Sequence, residues 1–235
     1  MEIIGNYMRP LSTRTAGFTD SIIRRMTRIS NRYGAINLSQ GFPDFDPPKE
    51  ITDRLAEIAP RGPHQYAITW GTQNFREALA KKQSHFTGLD IDPERIIERV
   101  KKVHDFLTVG AAAPLMEAAT VGLCFPDSYY EGLQAHYTHM KHLFCDGLRQ
   151  FGLDFTDPEG AYYVMLDVSK YGVKDDLHFC EWLAEHVGVG AVPGSCFFKE
   201  DVHHLIRFHF AKRDETLQSA LDRLSKLDSK AKDYI

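Results

Sequence analysis

The stretch His204-Leu205-Ile206-Arg207-Phe208-His209-Phe210-Ala211 decides how the C-terminal half of this chain is read. Its residues alternate with the period-2 repeat of a β-strand. Ile206, Phe208 and Phe210 fall on one face, which is wholly apolar and must pack on a helix layer. Leu205, Arg207, His209 and Ala211 fall on the other, which sets a guanidinium near the middle of a strand. Arginine is seldom covered without an anionic partner. Its rigid fork of donors suits a carboxylate gripped at both oxygens. That carboxylate belongs either to a neighbouring Asp or Glu or to a ligand, and the strand alone leaves both open.

Working outward, the 235 residues are 43% hydrophobic and 26% charged. That is globular composition with ample apolar material for a core, and the length suits one or two domains. A net charge of -4 supplies no polycation for nucleic acid and no basic tail for a membrane. Cys124, Cys145, Cys180 and Cys196 contain no C-x-x-C pair and read as reduced core thiols of a cytoplasmic protein. The first ten residues lack the apolar run of a signal peptide, and no window approaches a membrane span.

Residues 1–18 read as an irregular arm. A helix is expected from an N-cap at Thr19 or Asp20, with Ile22, Ile23, Met26, Ile29 and Tyr33 as its stripe and Gly34 as its stop. Residues 36–48 hold three prolines, a glycine and two aspartates, which exclude a regular element. Leu38, Phe42 and Phe45 make this either a loop pinned against a surface or a Pro-stiffened connector. Helices are expected over 49–59, from Thr72 to Gly88, from Asp90 to about Leu107, over 110–124 and over 127–150. Beyond these come strands at 151–155 and 160–168, a helix at 175–187, a strand at 187–192, a turn at Pro193-Gly194-Ser195, the arginine strand, and a final amphipathic helix over 214–227. This is an α/β chain of the α+β kind: a small sheet covered by helices on one face, as a small-domain sandwich, preceded by an N-terminal helical arm. The expected division is residues 1–95, arm and helices, and residues 96–235, the small domain.

Several stretches resemble one family. Asn37-Leu38-Ser39-Gln40-Gly41-Phe42-Pro43-Asp44-Phe45, then Gln65-Tyr66-Ala67 to Gly71 with Phe75-Arg76-Glu77-Ala78-Leu79, then Pro193-Gly194-Ser195-Cys196-Phe197-Phe198, and last Ile206 to Ala211 are similar to the pyridoxal-phosphate-dependent class I/II aminotransferases. The likeness is to the aspartate-aminotransferase-like fold, and within it to the kynurenine, glutamine and methionine branch. It implies amino-group transfer between an amino acid and a 2-oxo acid. It implies that Arg207 forks the substrate carboxylate and that Gly41 brings backbone close to it, where a side chain would intrude. It implies that Tyr66 touches the phosphate of pyridoxal 5'-phosphate across a dimer interface. Trp70 either lines a substrate pocket or packs.

The resemblance also implies what is missing. Such chemistry needs a lysine to hold the cofactor as a Schiff base, an acid facing its pyridine nitrogen and a phosphate cradle. These lie in a large central domain that this chain lacks: family-like sequence runs to about Arg95 and resumes at Ile97-Glu98-Arg99-Val100. Lys170 follows Ser169, but in the context of a strand end; Lys101 and Lys102 sit on a helix face that reads as solvated. The cofactor is therefore not expected to be held covalently, and the chain alone is expected to be inactive. The competing expectations are a non-catalytic binding or homo-oligomerising module, and a defective deletion variant. His136, His139, His142 and Cys145 drift around their helix over too wide an arc for one ion; two could bind zinc only with help from elsewhere, and the group reads as polar positions on a long helix with no metal.

Overall fold

The computed structural model describes residues 21–61, 65, 67–93 and 111–234. In chain order its main elements are α1 (Ile22–Tyr33), β1 (Ile36–Asn37), α2 (Lys49–Ile58), α3 (Gln73–Thr87), α4 (Ala113–Leu123), α5 (Asp127–Gln150), β2 (Phe155–Thr156), β3 (Tyr163–Asp167), α6 (Asp176–Trp182), β4 (Val189–Gly190), β5 (Val192–Pro193), β6 (Leu205–His209), α7 (Asp214–Leu224) and α8 (Leu227–Lys230). They form two units, residues 1–44 with 137–235, and residues 45–136. The boundary expected at residue 95 lies outside the described residues. So do the arm, the Thr19 and Asp20 caps, the body of the helix expected after Asp90, Lys101, Lys102 and Tyr66.

The first unit holds the arginine strand. Strand β6 is interior to a four-stranded sheet of order β2-β3-β6-β5, antiparallel at every pairing. Arg207 lies opposite Met165 on β3 and Val192 on β5, and Tyr163 lies opposite His209. The expected alternation holds. Val164, Leu166, Ile206 and Phe208 are buried on one face, where Phe144 of α5 meets Phe208 edge-on at 6.0 Å. Helix α7 adds Leu217, Leu221 and Leu224 to this core. It approaches α5 closely: a Cβ on Gly147 would lie 2.6 Å from Leu221.

Three expected elements differ. The strand over 187–192 is two short strands, β4 running parallel to β1 and β5 pairing with β6. Gly190 crosses α1 so closely that a Cβ there would lie 2.1 Å from Ser30 Oγ. The chain follows β1 along that helix before stepping across at Ala191 to the larger sheet. Phe151 and Gly152 complete the end of α5, with Gly152 at φ +64°, so strand β2 is confined to Phe155–Thr156. Helix α6 continues as a π-helical turn over Leu183–Val187, closed by Gly188 at φ +85°. The thiols divide: Cys145 and Cys180 are buried, but Cys124 and Cys196 are exposed and are not core thiols. Gly190→Ala should destabilise the protein by about 1–3 kcal/mol through overpacking, lowering the urea midpoint. Ser30→Ala in the same chain should recover part of the loss.

The second unit is helical. Glu117 of α4 ties it together, accepting from Asn74 Nδ2 of α3 at 2.5 Å and meeting Arg54 of α2 at 3.5 Å. Tyr130 Oη donates to the Gly122 carbonyl at 2.6 Å. Among the described residues no helix is long and apolar enough to cross a membrane.

Candidate carboxylate site

Arg207 projects from the sheet face opposite the core. Among the described residues it has no carboxylate partner, and its Nε is buried without a hydrogen bond. An aromatic clamp holds it instead. The ring centroids of Tyr163 and Phe197 each lie 4.1 Å from its Cζ. With both rings this close, the guanidinium is walled by aromatic surface. Tyr163 reaches it along the diagonal of the β3–β6 register, a distance aromatic side chains span. Each such contact is worth about 0.5–2 kcal/mol. Contacts with aromatic rings leave N–H donors of the guanidinium uncommitted, where an acid partner would have consumed them. Burial lowers the Arg207 pKa from its ordinary value, with the Tyr163 hydroxyl opposing in part. The group is a desolvated cation whose donors face no internal acid.

The 36–48 segment is a pinned loop and not a loose connector. Asn37 Oδ1 accepts from Ser39 N (3.0 Å), Ser39 Oγ (2.6 Å) and Gln40 N (3.3 Å), closing an Asx-type turn. Thr27 Oγ1 of α1 donates to Gln40 Oε1 at 2.8 Å. Leu38 is fully buried; it donates to the Gly190 carbonyl and accepts from His209 N. Farther along, Asp44 accepts from Arg213 N and Thr216 Oγ1, each at 2.6 Å, and so caps α7 from outside the helix. Lys212 Nζ donates to the Phe42 carbonyl at 2.8 Å. These ties fix Gly41 beside the clamp: a Cβ there would lie 2.6 Å from Tyr163 Oη.

The loop also covers the rest of the arginine face. His209 has no exposed surface, and neither ring nitrogen has a partner at full hydrogen-bond geometry, although the Asn37 backbone stands close enough to favour the charged ring. Burial, then the Lys212 cation, push its pKa down to about 4, while the Asn37 backbone and Asp44 oppose this in part. The imidazole is therefore neutral over ordinary pH.

Of the residues singled out from sequence, Arg207 and Gly41 are brought together in the first unit. Trp70 belongs to the second unit and is 40% exposed. Tyr66 lies outside the described residues. His139 pairs with Asp214 of α7 at 2.8 Å. Among the described residues no three His, Cys, Asp or Glu side chains are grouped to hold a metal.

The model of the family aminotransferase class I and II matches residues 86–224. The chain belongs to that family. Methionine aminotransferase of Escherichia coli is 32% identical over 151 residues, 62% of this chain and 39% of that protein. Kynurenine–oxoglutarate transaminase of Dictyostelium discoideum is 30% identical over 162 residues, 60% of this chain and 37% of that protein. The chain thus spans about two fifths of the length of these curated relatives. Its fold matches the N-succinyldiaminopimelate aminotransferase of Mycobacterium tuberculosis with a TM-score of 0.82 at 18% identity, covering 93% of this chain and 100% of that one.

Tyr163, Phe197 and His209 escaped the sequence reading as site residues. Phe197 stood inside a quoted motif, and Tyr163 sits at the diagonal position that register assigns. Only the pairing of β3 with β6 for Tyr163, and of β5 and its turn with β6 for Phe197, which sequence does not print, puts both rings on one guanidinium.

Proposed function

We propose that this aminotransferase-family chain grips the carboxylate of an amino acid or 2-oxo acid at Arg207, and that alone it does not transfer an amino group. The observation that carries the first half is a stacked guanidinium with an orphan buried Nε and no acid partner. A carboxylate entering in the guanidinium plane takes two N–H donors at once, beside the Gly41 backbone. Pyridoxal phosphate, when bound in such enzymes, supplies the electron sink for amino transfer, and it needs a lysine to hold it. Two lysines of the first unit are committed elsewhere, which supports this reading. Lys170 donates to the Gly152 carbonyl at 2.9 Å and pairs with Asp228 at 3.1 Å. Lys212 is committed to Phe42. We place the protein in the cytoplasm, a setting consistent with its four free cysteines. We also infer self-association, because Phe42 (60%), Phe197 (41%) and Phe198 (42%) expose apolar rings of the kind that favours contacts between copies.

Titration with propionate, followed by NMR, should give saturable binding that needs Arg207. Incubation with pyridoxal phosphate and borohydride should leave no lysine adduct, and no amino acid should be turned over. A stable adduct with turnover would overturn the second half of the reading. Sedimentation showing a clean monomer would remove the self-association.

A further inference from the structure

The buried carboxylate of Asp176 has no role in the reading so far, yet it is only 1% exposed. A buried carboxylate is costly unless fully partnered. It is the first residue of α6, but it does not cap that helix. Asp175, one residue earlier, already does, accepting from Leu177 N and His178 N at 3.0 Å each. Both Asp176 oxygens turn away from the helix end to Ser195, with His203 beside one of them. Ser195 N donates to Oδ2 at 2.7 Å, and Ser195 Oγ donates to Oδ1 at 2.9 Å. His203 Nδ1 lies 3.4 Å from Oδ1 and braces the pair from the other side.

Ser195 sits in the short 3₁₀ turn Gly194–Phe197. The turn is already pressed onto the sheet at its start, since a Cβ on Gly194 would lie 2.6 Å from the Leu205 carbonyl oxygen. Its last residue is Phe197, one wall of the clamp on Arg207. The turn thus has two fixed points, Gly194 on β6 and Ser195 on Asp176. Together they set where the Phe197 ring stands. Phe197 is 41% exposed, so core packing alone does not hold it.

We propose that Asp176 is a positioning residue for the carboxylate site: by holding Ser195 at both donors it fixes Phe197 against the guanidinium and so sets the plane in which Arg207 presents its fork. The inference rests on the reading of Arg207 as the carboxylate grip. It assigns a buried acid to the duty that a direct Arg–carboxylate pair would otherwise perform, without consuming the donors.

The test uses the full chain with Asp176→Asn, Ser195→Ala and Phe197→Leu, and the double variant Asp176→Asn with Phe197→Leu. Two readouts are taken: propionate affinity, and the sharpness and exchange protection of the Arg207 Nε–H resonance without ligand. Each single variant should weaken propionate about tenfold, the usual scale for losing an orienting partner, and should broaden the Arg207 signal. The double variant should be no weaker than Phe197→Leu alone, because Asp176 acts through that ring. If Asp176→Asn fails to fold, Ser195→Ala and Phe197→Leu carry the same test. Unchanged affinity and an unchanged Arg207 signal in folded variants would overturn the proposal, as would fully additive losses. Should the wild-type chain bind no propionate, the grip reading fails by itself. The Nε–H signal then still decides whether Asp176 orders the guanidinium.

Discussion

Arg207→Gln should abolish propionate binding by the full chain, a loss of about 2–5 kcal/mol, or roughly 30- to 5,000-fold in affinity. The size follows from the geometry. The guanidinium is walled by Tyr163 and Phe197, partly desolvated, and without an acid partner among the described residues, so a carboxylate meeting it recovers a charge-assisted, two-point contact. Glutamine keeps polarity and some length but loses the charge and the fork. Arg207→Lys should recover only part of the affinity, because an ammonium is a point charge that does not match both carboxylate oxygens or stack on two rings. Stability should move the other way. Removing the cation forfeits its two ring contacts but relieves a desolvated, unpaired charge that opposes folding, so the melting temperature should stay nearly unchanged or rise. A residue holding the fold together would show loss in both measurements, so the opposite signs mark a group kept for a ligand. An affinity unchanged in Arg207→Gln would remove the carboxylate site from this face.

Much of this was legible before any coordinates. Alternation alone placed Ile206, Phe208 and Phe210 inward, and all three are buried. Gly34 and Gly88 end their helices as C-cap glycines do, both with positive φ. For the 36–48 loop the sequence leaves a pinned loop and a stiffened connector both open, and the burial of Leu38 decides for pinning. The failures have physical causes. The strand expected across 187–192 broke because Gly190 answers to α1, a close approach between segments far apart in sequence. Asp176 was hidden behind Asp175, whose local capping signal accounts for an acidic pair at a helix start without any long-range partner. The clamp was invisible for a similar reason: each ring is an ordinary strand or turn aromatic until register brings both to Arg207. Local rules reach as far as the element. Which elements meet is decided by packing that one chain segment does not encode alone.

His209 gives the other large effect, and it concerns stability. In the unfolded chain its imidazole titrates near the usual value of about 6.5. Folded, it has no exposed surface, faces the Lys212 and Arg207 cations, and is offset only in part by Asp44 and the Asn37 backbone, so its pKa falls to about 4. Between these values the unfolded chain binds more protons than the folded one, so stability must decline as pH falls. The contribution is fully present above about pH 6.5. It drops by up to about 1.4 kcal/mol per pH unit through the window, and roughly 3 kcal/mol is gone once pH passes below about 4. Urea unfolding of the wild type and of His209→Leu across this range should give curves that run parallel above about pH 6.5. Below it the wild type should lose ground to the variant. The comparison cancels the carboxylates, which titrate alike in both. The first structure to yield should be the cover over that histidine, because a protonated His209 can be solvated only if the Leu38–Gly41 loop lifts. That loop also carries the Gly41 backbone against Tyr163, so acid should weaken propionate binding before the protein unfolds globally, and His209→Leu should delay that loss. Parallel stability curves down to about pH 4 would mean that the imidazole is hydrated or hydrogen-bonded in solution, and the loop would no longer be a sealed cover over the arginine face.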